Sequence, residues 1–264
     1  MLSNNFDCCS ILQPQPNFKL IGHRGFSGLR PENTMASFKH AQEIGLNWIE
    51  LDARLTKCDN WVIFHDDTLE RFTGSQDSIE DSTLSDLIKL DFGSWFDTKY
   101  KNEKIVMLRE ILSFAAQNNI FINLEIKPSN KIKTSRYAQK LMRFLANTIA
   151  NNQPYPLVSS FDTALLVELR KLSENLRLGY LIEEFDNEVW TNINKYHFST
   201  LNSDTDTTEH EHIQKAKRMN IPSLVYVVND FERAKELFNY GACGIFTDRA
   251  DLIIEGLKSQ SPES

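Results

Sequence analysis

Short apolar runs alternate with amphipathic stretches of helix length along nearly the whole chain, and that rhythm restricts the fold to parallel strands joined by helices. Strands are predicted over Phe18–Gly22, Trp48–Ala53, Phe121–Ile126, Leu157–Phe161, Leu176–Ile182, Phe198–Asn202, Ser223–Val228 and Gly244–Thr247. Helices are predicted over Thr34–Ile44, Leu108–Asn118, Lys131–Asn151, Thr163–Leu172, Thr208–Met219, Glu232–Tyr240 and Asp251–Leu257, with Asn33 or Thr34 capping the first. Trp61–His65 reads as extended, close behind the second strand. Leaving it aside, about eight parallel strands in 264 residues fit an α/β fold, a single (β/α)8 TIM barrel. A doubly wound open sheet shares the rhythm, but no Gly-rich nucleotide turn supports it.

One segment interrupts the pattern. Asp66 to Lys104 holds polar turns, a short helix at Leu84–Leu90 and the aromatics Phe92, Trp95, Phe96 and Tyr100. Leaving the strand end that carries His65, it is expected to form a small insertion after the second strand region, walling the mouth of a site. The domain plan is therefore a tail over 1–17, a barrel over 18–258 with its insertion at about 66–104, and a tail over 259–264.

A net charge of −7 argues against a nucleic-acid surface, yet leaves room for a small anionic substrate, since local cations and a metal can reverse the field in a pocket. Met1 to Asn17 carries no Lys or Arg, and no stretch reaches the length of a membrane span. Cys8, Cys9, Cys58 and Cys243 lack metal-site spacing and read as reduced thiols, which points to a cytoplasmic protein. With no obvious amphipathic basic helix, stable membrane attachment is not expected.

Active sites of such barrels lie at the carboxyl ends of the strands. His23 and Arg24 follow the first strand directly, and Glu50 and Asp52 share one face of the second. His65 follows the extended stretch, while Glu125 ends the Phe121–Ile126 strand with Lys127 two residues on. Glu50, Asp52 and Glu125 make an all-oxygen triad suited to one hard divalent cation, Mg²⁺ or Ca²⁺, rather than zinc. The alternative for each is an outward, solvated charge or an ion pair with Arg54 or Lys127. His23 and His65 are the candidates for proton transfer. Arg24 can grip a phosphate bidentately and Lys127 adds a point charge, and both can also pair with the site carboxylates. His40, His197, His210 and His212 fall in helical or flanking positions and read as structural or exposed.

A series of motifs runs from His23-Arg24-Gly25 and Pro31-Glu32-Asn33-Thr34 to Glu50-Leu51-Asp52 and Phe64-His65-Asp66-Asp67-Thr68-Leu69-Glu70-Arg71. Leu124-Glu125-Ile126-Lys127-Pro128, Ser159-Ser160-Phe161, Val228-Asn229-Asp230 and Gly244-Ile245-Phe246-Thr247-Asp248-Arg249 follow in order. In this order they resemble the glycerophosphodiester phosphodiesterase family. The resemblance implies metal ligation by Glu50, Asp52 and Glu125, with His23 and His65 as acid–base pair. It also implies hydrolysis of a glycerophosphodiester to sn-glycerol 3-phosphate and an alcohol through a cyclic glycerophosphate. Two motifs depart from the family: Tyr226-Val227-Val228-Asn229 stands for Trp-Thr-Val-Asn, and Val106-Met107-Leu108 for Pro-Thr-Leu. The first bears on the wall that meets glycerol or alcohol. A lysophospholipase-D-like enzyme acting on lipid diesters and a non-catalytic phosphodiester-binding barrel are the other readings.

Overall fold

The computed structural model describes residues 18–149 and 155–259. Its first half runs β1 (Lys19–Gly22), α1 (Met35–Glu43), β2 (Trp48–Leu55), β3 (Trp61–Ile63), α2 (Glu70–Thr73), α3 (Leu84–Leu87), β4 (Val106–Met107), α4 (Leu108–Asn118), β5 (Phe121–Ile126) and α5 (Thr134–Thr148). The second runs β6 (Leu157–Ser160), α6 (Thr163–Leu172), β7 (Leu178–Ile182), α7 (Asn187–Tyr196), β8 (Thr200–Asp204), α8 (His210–Arg218), β9 (Ser223–Tyr226), α9 (Phe231–Tyr240), β10 (Gly244–Thr247) and α10 (Ala250–Ser259).

Eight parallel strands close in the order β1-β10-β9-β8-β7-β6-β5-β2, and a β1–β2 pairing completes the ring. The expected (β/α)8 barrel is the fold. Trp61–His65 indeed stands outside the ring, because β3 runs antiparallel to β2 and β4 antiparallel to β3. The expected tail 1–17, with Cys8 and Cys9, lies outside the described residues, as do 150–154 and 260–264; Ser259 ends α10.

The barrel interior is graded along its axis. Ile21, Trp48, Leu157, Leu224 and Phe246 fill the amino-terminal end as a separate apolar cluster. Two residues further along from Trp48, Phe121 and Leu157 the filling turns polar, with Glu50, Asn123 and Ser159 all buried and Asn123 Nδ2 donating to Ser159 Oγ at 2.9 Å. Outward residues of the same strands (Ile49, Leu51, Ala53, Ile122, Leu124, Ile126) pack beneath the helices. β2 is buried on both faces, as a parallel strand under helices must be. The candidate site residues lie toward the carboxyl ends of the strands, beyond this apolar cluster.

Two local readings are corrected. Nothing in the sequence pattern marked α7, whose only buried residues are Val189 and Ile193 and which starts from Asp186, whose carboxylate caps it by accepting the Val189 N–H. The helix expected from Lys131 starts instead at Thr134, because Ser129 Oγ accepts the N–H groups of Lys131 and Ile132 in a preceding turn. Between β3 and β4 the chain makes an excursion with a core of its own: Phe64, Leu69, Ile79, Leu87, Phe92 and Ile105 cluster with Val62. No helix among the described residues is long and apolar enough to cross a membrane.

Candidate active site

His23 leaves β1 with its backbone N–H donated to Thr247 O at 2.9 Å, which seats it on the rim beside β10. Its Nδ1 lies 2.7 Å from Asp248 Oδ1, and its Nε2 faces Glu50 Oε2 at 3.9 Å. Asp248 also accepts from Ser27 Oγ at 2.5 Å and Asn229 Nδ2 at 2.9 Å. Burial opposes its ionisation, but His23, Ser27 and Asn229 hold its carboxyl well below the usual carboxylate range. A carboxylate has only acceptors, so His23 carries its proton on Nδ1 and turns Nε2 toward the centre.

Arg24 adopts φ +51°, and this left-handed turn aims its own N–H at Glu50 Oε2, 2.8 Å away. Gly25 follows at φ +87°, where a Cβ would sit 2.5 Å from Ser37 Oγ. That hydroxyl is already engaged, donating to Arg24 O at 2.9 Å and accepting from Phe26 N–H at 2.6 Å. Gly25→Ala is expected to cost about 2–3 kcal/mol through clash and left-handed strain, measurable by denaturant unfolding.

Glu50 and Asp52 of β2 and Glu125 of β5 come together, each buried, with one carboxylate oxygen apiece lying within 4.8 Å of the others. The β2–β5 register aligns Asp52 directly with Glu125. Asn33 Nδ2 donates to Asp52 Oδ2 at 2.9 Å, and Lys127 Nζ lies 3.0 Å from Asp52 Oδ1 while also donating to Glu125 Oε1. Lys127 and Arg24 outweigh burial and hold Asp52 ionised. Glu50 is pushed well above its ordinary pKa by burial, then by Asp52 and Glu125; Glu125 is raised by burial and Asp52. Glu50 Oε1 is buried with no hydrogen-bond partner. An acceptor in that position, within an all-carboxylate set short of compensating charge, is what a hard divalent cation complements.

His65 follows β3, just past Phe64. Its Nδ1 meets Asp66 Oδ1 at 2.8 Å, and its backbone carbonyl accepts from Arg54 Nε and Nη2 at 3.0 and 2.7 Å. Burial lowers its pKa, and although Asp52 opposes this, Arg24 and Lys127 add to the lowering. Arg24 Nη1 donates to Glu32 Oε1 at 2.8 Å, while its Nε stands 3.5 Å from Asp52 Oδ2 without a hydrogen bond. Phe161, at the end of β6, stands 41% exposed, edge-on to Tyr226 at 5.9 Å and with Lys127 Nζ 6.0 Å from its ring.

All seven residues singled out from the sequence thus gather on one rim: His23, Arg24, Glu50, Asp52, His65, Glu125 and Lys127. Arg24 and Lys127 both pair with carboxylates, the alternative already noted for them. Sequence reasoning assigned no part in the site to Asp248, Asn229, Glu32, Asp66 or Arg71, and read Asn33 only as a candidate helix cap. Each lies inside a recognised motif, which was the available signal, but the side chains that orient others are identified only by the partners they meet.

Residues 23–252 match the model of the Glycerophosphoryl diester phosphodiesterase family, a span that opens on His23 and closes beyond Asp248. The fold and rim therefore belong to a phosphoric diester hydrolase. The chain is a member of the glycerophosphodiester phosphodiesterase family. The glycerophosphodiester phosphodiesterase of Caldanaerobacter subterraneus subsp. tengcongensis is 30% identical over 235 residues, 89% of this chain and 96% of the relative. Human lysophospholipase D is 27% identical over 262 residues, covering 87% and 83%. Among solved structures, an Oleispira antarctica phosphodiesterase in complex with the product sn-glycerol-3-phosphate matches with a TM-score of 0.86 at 28% identity, over 92% of this chain and 97% of that one.

Proposed function

We propose that this protein hydrolyses glycerophosphodiesters to sn-glycerol 3-phosphate and an alcohol by acid–base catalysis with a divalent cation. The observation that carries the reading is the buried cluster of Glu50, Asp52 and Glu125, with an unpartnered Glu50 oxygen, flanked by two histidines each held by an aspartate. The three carboxylates would hold Mg²⁺ or Ca²⁺, which when bound supplies charge stabilisation to the phosphoryl oxygens.

Arg24 brings its unengaged Nε–H, and Lys127 its ammonium, to the same phosphoryl oxygens. One histidine takes the proton of the substrate's glycerol 2-hydroxyl as that oxygen bonds to phosphorus. The bond from phosphorus to the alcohol breaks, and the other histidine protonates the departing oxygen. Water then opens the cyclic glycerophosphate with the two roles reversed, breaking the bond to the 2-oxygen and leaving glycerol 3-phosphate. Asp248 and Asp66 keep each ring's Nδ1 protonated, so that Nε2 does the exchanging.

The test is release of glycerol 3-phosphate from glycerophosphocholine and glycerophosphoethanolamine in Mg²⁺, Ca²⁺ or EDTA. Release is expected with a divalent ion and is expected to vanish in EDTA; equal turnover in EDTA would remove the cation from the scheme. A second reading, lysophospholipase-D-like cleavage of lipid diesters, is favoured by the exposed Phe161 beside Lys127. Turnover of lysolipids without turnover of the water-soluble diesters would select it.

A further inference from the structure

Arg71 lies in the excursion between β3 and β4, on α2, and touches none of the seven residues assigned to the reaction. It nevertheless reaches the carboxylates behind two of them. Its Nη1 and Nη2 donate to Glu32 Oε2 and Oε1 at 2.8 and 2.7 Å, a bidentate fork. Its Nε and Nη2 donate to Asp66 Oδ2 and Oδ1 at 2.8 and 3.0 Å. Four of a guanidinium's five N–H groups are therefore engaged by two carboxylates.

The shared atoms give the arrangement its meaning. Asp66 Oδ1, which accepts from Arg71 Nη2, is the oxygen that meets His65 Nδ1. Glu32 Oε1, which accepts from the same Nη2, is the oxygen that holds Arg24 Nη1. A single nitrogen thus links the oxygen orienting the proton-transfer side chain to the oxygen orienting the phosphate-gripping one. The guanidinium is itself confined, with Cζ 4.5 Å from the Phe72 ring centroid and 4.9 Å from that of Trp95. Trp95 is fixed in turn by donating Nε1–H to Phe92 O at 2.9 Å, within the excursion's own core.

We propose that Arg71 is a positioning residue for both arms of the site, setting His65 through Asp66 and Arg24 through Glu32. The aromatic excursion is then the seat that holds Arg71, and this is how a segment outside the barrel controls geometry on its rim. A lysine could not substitute, because one ammonium cannot present four coplanar donors to two carboxylates. A plain exposed ion pair would add little to stability and leave the reaction untouched. The proposal rests on the roles given above to His65 and Arg24, so its test includes a measurement that needs no turnover.

Arg71→Gln and Arg71→Lys are compared with wild type after thermal unfolding has shown each to be folded; the lysine variant keeps the charge should the glutamine variant not fold. Both are expected to lower kcat by about 10- to 100-fold, as loss of an orienting partner does, and Arg71→Gln combined with Asp66→Asn is expected to lose no more than the worse single variant. A kcat within about twofold of wild type, or losses that multiply as for independent sites, would overturn the proposal. Imidazole ¹⁵N shifts supply the independent readout: the His65 ring nitrogens should move in Arg71→Gln or Arg71→Lys while those of His40 and His197 stay. If wild type turns over no diester, the functional reading fails, and an unmoved His65 ring would still sink the positioning role on its own.

Discussion

Glu50→Gln is expected to lower kcat by about 10³-fold or more while leaving the metal-free protein at least as heat-stable as wild type. The two halves of that expectation have one cause. Glu50 is 4% exposed, one of its oxygens has no partner, and burial with Asp52 and Glu125 nearby resists its ionisation. A glutamine of the same shape removes that like-charge burden, so the metal-free fold gains or breaks even. It also removes a charge from the proposed cation site, so the rise in melting temperature that Mg²⁺ or Ca²⁺ should give wild type is expected to shrink or disappear. Turnover within about tenfold of wild type, with the metal-induced thermal shift intact, would show that the cluster is not the reaction centre.

Asp248→Asn should be nearly as damaging, lowering kcat by about 10²-fold or more. The carboxylate accepts from His23, Ser27 and Asn229 together, and an amide cannot accept from all three without turning a donor toward one of them. His23 would then lose the contact that keeps its proton on Nδ1. The same residue links stability to pH. Its folded pKa is depressed, so its contribution is fully present above the unfolded value of about 3.9 and is lost as pH falls through the folded value. The stability gap between wild type and Asp248→Asn, followed by denaturant titration, should therefore be widest near neutrality and close on acidification. A gap that widened in acid would contradict the assignment.

The barrel was readable from sequence because each strand is a short apolar run bounded by turn residues, and α4, β5, α6 and β10 fall where the pattern puts them. The candidate site residues were readable for a related reason: residues at or just past the carboxyl end of a barrel strand lie at the rim, which placed His23 after β1 and Glu125 near the end of β5. What escaped depends on contacts between distant segments. Asp248 and His23 are 225 positions apart, and Arg71 meets Glu32 across 39, so neither relation leaves a local pattern. α7 escaped for the opposite reason: its sequence Asn-Glu-Val-Trp-Thr-Asn-Ile-Asn-Lys-Tyr is rich in weak helix formers, which the Asp186 cap and the packing of Val189 and Ile193 override. Lys127 shows a partial reading, since its charge was recognised but its hold on Asp52 and Glu125 required the fold.

The pairing of β1 with β10 has a consequence for how the protein is made. A ribosome releases His23 early and Asp248 225 residues later, a delay on the order of ten seconds to a minute at ordinary translation speeds. From Glu125 onward the nascent chain already holds both histidines and all three clustered carboxylates, but neither the strand that closes the ring nor the acid that aims His23. Phosphodiester cleavage should therefore switch on late and abruptly during synthesis, and polypeptides stalled before β10 should be chemically silent.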